Sequence, residues 1–134
     1  MIDIENEVFN SIATALRAKH DPISLYGEYV PSPATYPTVF IEELDNYALE
    51  RTQDSGSLEN HASLMYEINV FSNLMVGKKS QAKSIFEDVD EIMAGLGFTR
   101  IVKTAIPNLE NATIYRMVGR YKAVVSKDKT IFRR

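Results

Sequence analysis

The sequence predicts an α+β protein in which two amphipathic helices pack on one face of a mostly antiparallel sheet, in the order αββ-loop-βαββ. Three observations lead there. Two stretches, 3–19 and 80–96, carry apolar residues at three- and four-residue spacing, the stripe of a helix with one buried side. Two others, 62–72 and 113–125, alternate with a period of two, as half-buried strands do. The 134-residue chain is 45% hydrophobic and 25% charged, a balance that supports one ordinary core. At this size folding buries roughly two thirds of the unfolded surface, and residues 1–134 are expected to form a single domain.

Taken in order, Ile4, Val8, Phe9, Ile12, Ala13 and Leu16 line the first helix. Asp3 caps its start, Glu5 and Glu7 meet the positive end of its dipole, Arg17, Lys19 and His20 meet the negative end, and Pro22 stops it. Residues 23–30, rich in aromatic and β-branched types, read as a short strand. The PSPATYP segment at 31–37 cannot donate a regular ladder of hydrogen bonds. TVFIEEL at 38–44 is the second strand. Residues 45–61 lack any apolar period and are expected to be a long loop, the most mobile internal segment.

Leu64, Tyr66, Ile68 and Val70 form the buried face of the third strand, with Ser63, Glu67 and Asn69 opposite. The second helix places Ala82, Ile85, Phe86, Val89, Ile92, Met93 and Leu96 inward, turns Glu87, Asp88, Asp90 and Glu91 mostly outward, and ends at Gly97. Residues 98–106 are a strand, 107–112 a turn and 113–125 a long strand. In the last, Tyr115, Met117, Tyr121, Ala123 and Val125 face one way and Arg116, Val118, Arg120, Lys122 and Val124 the other. A short basic tail, 126–134, closes the chain.

Cysteine is absent, which removes disulfides, thiolate nucleophiles and cysteine metal sites and agrees with a reducing cytoplasm. The acidic opening MIDIENEVF does not resemble a secretory signal, and no apolar run approaches a membrane span, so a cytosolic protein without membrane contact is expected. The net charge of −3 conceals a polarity. Residues 1–60 hold eleven acids and three bases, whereas 100–134 hold nine bases against Glu110 and Asp128. Such a chain suits head-to-tail packing with copies of itself, or a basic segment that meets nucleic acid.

Catalytic templates fail at required residues. Gly77-Lys78-Lys79-Ser80 looks like the end of a phosphate-binding loop, but Ser72 stands where the first glycine is needed and a second lysine where magnesium needs a hydroxyl. A turn and helix start is the simpler reading. Neighbouring strand residues point to opposite faces, so Glu42, Glu43 and Asp45 make a poor acid/base pair. The acids of the second helix lack calcium-loop spacing, His20 and His61 form no metal pattern, and Asp54-Ser55-Gly56-Ser57 is no nucleophile elbow. No enzyme, cofactor or metal site is expected. Arg116, Arg120 and Lys122 are the basic candidates for a subunit interface, with Glu42, Glu43 and Asp45 as acidic counterparts on a neighbouring copy. Direct nucleic-acid binding through the same bases is disfavoured, because the tyrosines that would stack on bases alternate onto the other face.

Four segments, GEYVPSPATYPTVFIEELDN (27–46), RTQDSGSLENHASLMYEINVFSN (51–73), GKKSQAKSIFEDVDEIMAGLGF (77–98) and IPNLENATIYRMVGRYKAVV (106–125), together make the chain resemble the tail-terminator and tail-completion proteins of long-tailed bacteriophages and prophages. The likeness lies in element order and segment texture. It implies a mixed domain that closes into a ring, commonly hexameric, at the head-proximal end of the tail, with a tail tube protein and a head completion protein as partners. It implies assembly in the host cytoplasm followed by residence in the virion, and it supplies no catalytic or interface residues. The alternatives are a head-tail connector or neck adaptor and, from another class, a small nucleic-acid-binding protein using its basic C-terminal third.

Overall fold

The computed structural model describes residues 1–28, 35–48, 61–107, 113–126, 129 and 131–132. Along the chain run α1 (Glu5–Lys19), β1 (Ser24–Tyr26), β2 (Thr38–Ala48), β3 (His61–Ser72), α2 (Lys78–Leu96), β4 (Thr99–Pro107), β5 (Tyr115–Ser126) and β6 (Ile131–Phe132). The strands form one six-stranded sheet in the order β1-β2-β3-β5-β4, and β6 continues the β4 side by pairing with the end of β5. Among the described residues only β1 and β2 are parallel; every other pair is antiparallel.

Local chemistry explains both helices. The Asp3 carboxylate accepts the Glu5 amide at 3.0 Å, one of the donors that the first turn of α1 leaves over. Val8, Ile12, Ala13 and Leu16 are buried, as the stripe requires. The second helix starts after Gly77 at φ 87 and ends at Gly97 at φ 104. There the Gly97 amide reaches Ala94 O and the Phe98 amide reaches Met93 O, which satisfies two terminal carbonyls. Gly97 is fixed twice over, since a Cβ there would also press on Ile131.

The two helices cover one face of the sheet. Leu64, Tyr66, Ile68 and Val70 of β3 join Val39 and Ile41 of β2 and Met117, Tyr121, Ala123 and Val125 of β5. Against them pack Val8, Ile12 and Leu16 of α1 and Ala82, Ile85, Phe86, Val89 and Met93 of α2, with Ile2 and Ile4 closing one side. At about 25 cal/mol per Å2 of apolar surface removed from water, this continuous cluster supplies the main drive to fold.

Three expectations need correction. The second strand does not stop at Leu44: Asp45, Asn46 and Tyr47 pair with Met65, Leu64 and Ser63, because a register shift between Glu43 and Asp45 lets the ladder run on. Aspartate and asparagine are poor strand formers, and the pairing partner overrides that preference. The remainder of the expected loop, residues 49–60, lies outside the described residues, as do 29–34 and most of the turn at 107–112. The basic tail contributes a strand, β6, that the residue pattern does not announce. Finally, β3 is covered on both faces over much of its length, since Ser63, Asn69 and Phe71 are buried as well, with Met65 and Glu67 half-buried between them.

Sheet and helix approach closely at position 119. A Cβ built on Gly119 would overlap the Phe86 ring, whereas one built on Gly95 in α2 meets open space. Gly119→Ala should therefore cost about 1–3 kcal/mol by overpacking. Gly95→Ala, in the last turn of α2, should gain about 0.4–1 kcal/mol by reducing the freedom of the unfolded chain. Urea unfolding of the two variants checks this; equal midpoints would contradict the packing.

Candidate subunit interface

Residues directly opposite one another across an antiparallel pair share a face. The register therefore places Glu42, Glu67 and Arg120 in one row of the face away from the helices, and Asp45, Met65 and Lys122 in the next. Arg116 stands on the same face opposite Phe71. Of the six candidate interface residues, five are thus brought onto one surface, acids on β2 and bases on β5 with β3 between. Glu43 is the exception. It pairs with Tyr66 and belongs to the helix side.

The arginines are not free charges. Arg120 Nε reaches Glu67 Oε2 at 3.0 Å, and Arg116 Nε donates to Asn69 Oδ1 at 2.9 Å while its guanidinium lies 5.6 Å from the Phe71 ring centroid. Asn69 Nδ2 donates in turn to Glu67 Oε1 at 3.1 Å, so the four polar side chains form a network across β3 and β5. Beside it lies an aromatic run, Tyr26 to Phe40 at 5.7 Å and Phe40 to Phe71 at 5.3 Å edge-on. Phe40 and Val118 are buried within this second, smaller cluster. Tyr47, half exposed, has its phenol pKa lowered by the Ser63 hydroxyl first and by the Lys122 ammonium.

The separation of tyrosines from bases along β5 holds. Tyr121 is buried on the helix side and donates to Asp90 Oδ1 at 3.0 Å, while Arg116 and Arg120 face away. Burial pushes the Tyr121 and Tyr66 hydroxyls far up, Asp90 and Glu43 adding to the effect.

The catalytic templates also find structural occupations. Ser72, in the glycine position of the phosphate-loop comparison, is buried and donates its hydroxyl to Gln81 Oε1 at 2.5 Å. His20 Nε2 sits 2.5 Å from Asp88 Oδ2, and Lys19 Nζ is 3.4 Å from Asp88 Oδ1, which ties α1 to α2. Arg100 NH1 meets Asp90 at 3.2 Å. Asp88 and Asp90 therefore hold contacts, whereas Glu87 and Glu91 are exposed. Burial works to raise the Asp88 carboxyl, but the His20 and Lys19 hydrogen bonds and charges outweigh it and leave the pKa lowered. Lys129 of the basic tail reaches Glu7 of α1 at 2.7 Å. Among the described residues no three His, Asp or Glu side chains gather to hold a metal, and no helix is long and apolar enough to cross a membrane.

Residue-by-residue reading overlooked the exposed apolar side chains. Leu44 and Tyr47 stand out of β2, Ile101 and Val102 out of β4, and Leu74, Met75 and Val76 occupy the β3–α2 turn. A signal was present in the broken alternation at Leu44 and at Ile101-Val102, which marks the two register shifts.

Glu43 carries a pH signature. Burial, then the nearby Glu5 and Asp3 charges, raise its carboxyl, and hydrogen bonds from Tyr66 and Asn46 only partly offset this. The folded chain thus holds that proton more tightly than the unfolded chain. Ionised Glu43 costs stability above its raised folded value, and the cost disappears below the ordinary glutamate value near 4.5. Glu43→Gln, which keeps an acceptor for Tyr66, should raise the melting temperature near neutral pH and lose that gain by about pH 4. A destabilised variant at neutral pH would contradict the assignment.

No family model and no curated protein sequence matches the chain. Among solved structures, it is similar to a chain in the virion of a native gene transfer agent particle, with a TM-score of 0.61 and 15% identity, covering 89% of this chain and 92% of that one. At that identity the likeness is one of fold, and it extends over nearly the full length of both chains.

Proposed function

We propose that this chain is a structural, non-catalytic component of a phage-like particle: a tail terminator that forms a ring at the head-proximal end of the tail. The observation that carries the proposal is the fold shared, over most of both chains, with a chain of a gene transfer agent virion. The acidic-to-basic polarity across one sheet supports it, because a ring needs two different surfaces that fit each other. In this reading the partners are further copies of the chain, six in the ring as the sequence resemblance implies, the tail tube protein on one side and a head completion protein on the other. Assembly takes place in the host cytoplasm and the product resides in the virion.

A cap on a growing tube stops its growth, so the role has a distinctive loss phenotype. Particles made without this gene should show heads separate from tails and tubes of uncontrolled length in electron micrographs. Unjoined tails of normal length would identify a neck adaptor instead. A nucleic-acid binder would show DNA affinity that falls steeply with salt as phosphate contacts are lost, and particle morphology independent of the chain. In solution, Arg116→Glu with Arg120→Glu must be judged beside Glu67→Gln, since the reversal also sets like charges together inside the network of β3 and β5. If that face meets another subunit, the double reversal should reduce assembly more than Glu67→Gln does at equal melting temperature.

A further inference from the structure

Resting on the ring reading, we propose that subunits join through their sheet edges: residues 100–106 of β4 in one copy add as a strand to residues 41–48 of β2 in the next. Both edges are open among the described residues. The first strand pairs with β2 only at Thr38, Val39 and Phe40, leaving the backbone of 41–48 laddered to β3 alone, while the Asn46 side chain donates to Ile2 O at 2.7 Å. Residues 100–106 of β4 pair with no strand but β5 among the described residues, and 100–105 are all exposed. Such edges offer unpaired backbone donors and acceptors, and proteins that stay monomeric usually blunt them with charge or a bulge.

Here the bulges do the opposite of blunting. The extra residue at the β2 register shift is Leu44 and at the β4 shift is Ile101, and these stand 41% and 53% exposed. Each edge adds a second exposed apolar side chain, Tyr47 on β2 and Val102 on β4. A bulge that pushes a leucine or isoleucine into water on an open edge suits a contact that is completed elsewhere.

Charge selects the pairing. Glu42, Glu43 and Asp45 lie along the β2 edge, with Asp3 and Glu5 beside Glu43, whereas Arg100 and Lys103 lie along the β4 edge. Arg100 is engaged with Asp90 and Lys103 rests over the Phe86 ring, yet both bases keep the β4 edge cationic beside Arg116, Arg120 and Lys122 of β5. Like edges repel and unlike edges attract, which favours the heterologous contact that closes a ring over a two-fold dimer. Direction agrees as well. Three successive antiparallel pairings separate β2 from β4, so a neighbour related by rotation, with the same face outward, presents its β2 antiparallel to β4, the pairing with the better ladder geometry.

The chain has no cysteine, so Leu44→Cys and Ile101→Cys give each edge one thiol. Both sites are exposed, and unchanged melting temperatures confirm that the variants fold. A bismaleimide spanning about 7 Å tolerates a register offset of two strand residues. It should join the two single variants when they are mixed, leave each alone as monomer on a denaturing gel, and give a ladder with the double variant. The measurement is made in solution and on assembled tail ends. Homodimers of either single variant at the yield of the mixed product, or no cross-link in either setting, would overturn the edge proposal. Sedimentation and electron microscopy of the wild type read the ring separately: a ring without this cross-link rejects the edges and keeps the ring, while absence of any ring on tail ends rejects the reading beneath it.

Discussion

Pairing of β3 on both sides, along its full length with β5 and over ten residues with β2, is the constraint on which the rest of the molecule depends. Its residues are matched one for one with β5 from His61–Ser126 to Ser72–Tyr115, and with β2 through ten partners broken by one bulge. That double ladder fixes which side chains of three strands share a face. The helix side becomes the main core, and the other becomes a thinner layer of Phe40, Phe71, Asn69 and Val118 bound together by Arg116, Glu67 and Arg120. A slip of β3 by one residue would exchange Tyr66 and Ile68 for Glu67 and Asn69 beneath α2, an exchange that a single buried carboxylate makes prohibitive.

Much of this was legible because periodicity is local. The stripes of α1 and α2, the alternation of β3 and β5, the stop at Gly97 and the division of β5 into a tyrosine face and a basic face can each be read from residues within a few positions of one another. What escaped depends on partners distant in sequence. Asp45 to Tyr47 become strand because Ser63 to Met65 receive them, and β6 exists because Val125 offers an edge to Ile131. The same limit applies to the charged surface. That five candidate interface residues share a face follows from a cross-strand register no window contains, and so does the capture of Arg120 by Glu67 and of Arg116 by Asn69. Glu43 was assigned by charge to the company of Glu42 and Asp45, but one residue of pleat sends it to the other side.

The electrostatic polarity seen along the sequence takes on a spatial form that the sequence did not specify. Part of it is spent inside the chain: Lys129 returns to Glu7, Arg100 to Asp90, and Lys19 with His20 to Asp88. These contacts connect the tail, the edge strand and α1 to their neighbours. Solvent screens the exposed ones and the His20–Asp88 contact is half-buried, so these pairs adjust the arrangement that apolar burial sets up rather than create it. What remains outward is distributed unevenly, acids toward β2 and bases toward β4 and β5.

The approach of Phe86 to Gly119 ties two sites that lie on different elements and thirty-three positions apart. With the phenyl ring in place, any side chain added at 119 meets it and is penalised. With a smaller residue at 86, the same additions fill the space that the ring vacated. The two positions consequently behave as one heritable unit: the order in which substitutions arrive decides whether an intermediate folds, and single-site scans of either position understate what the pair together can accept.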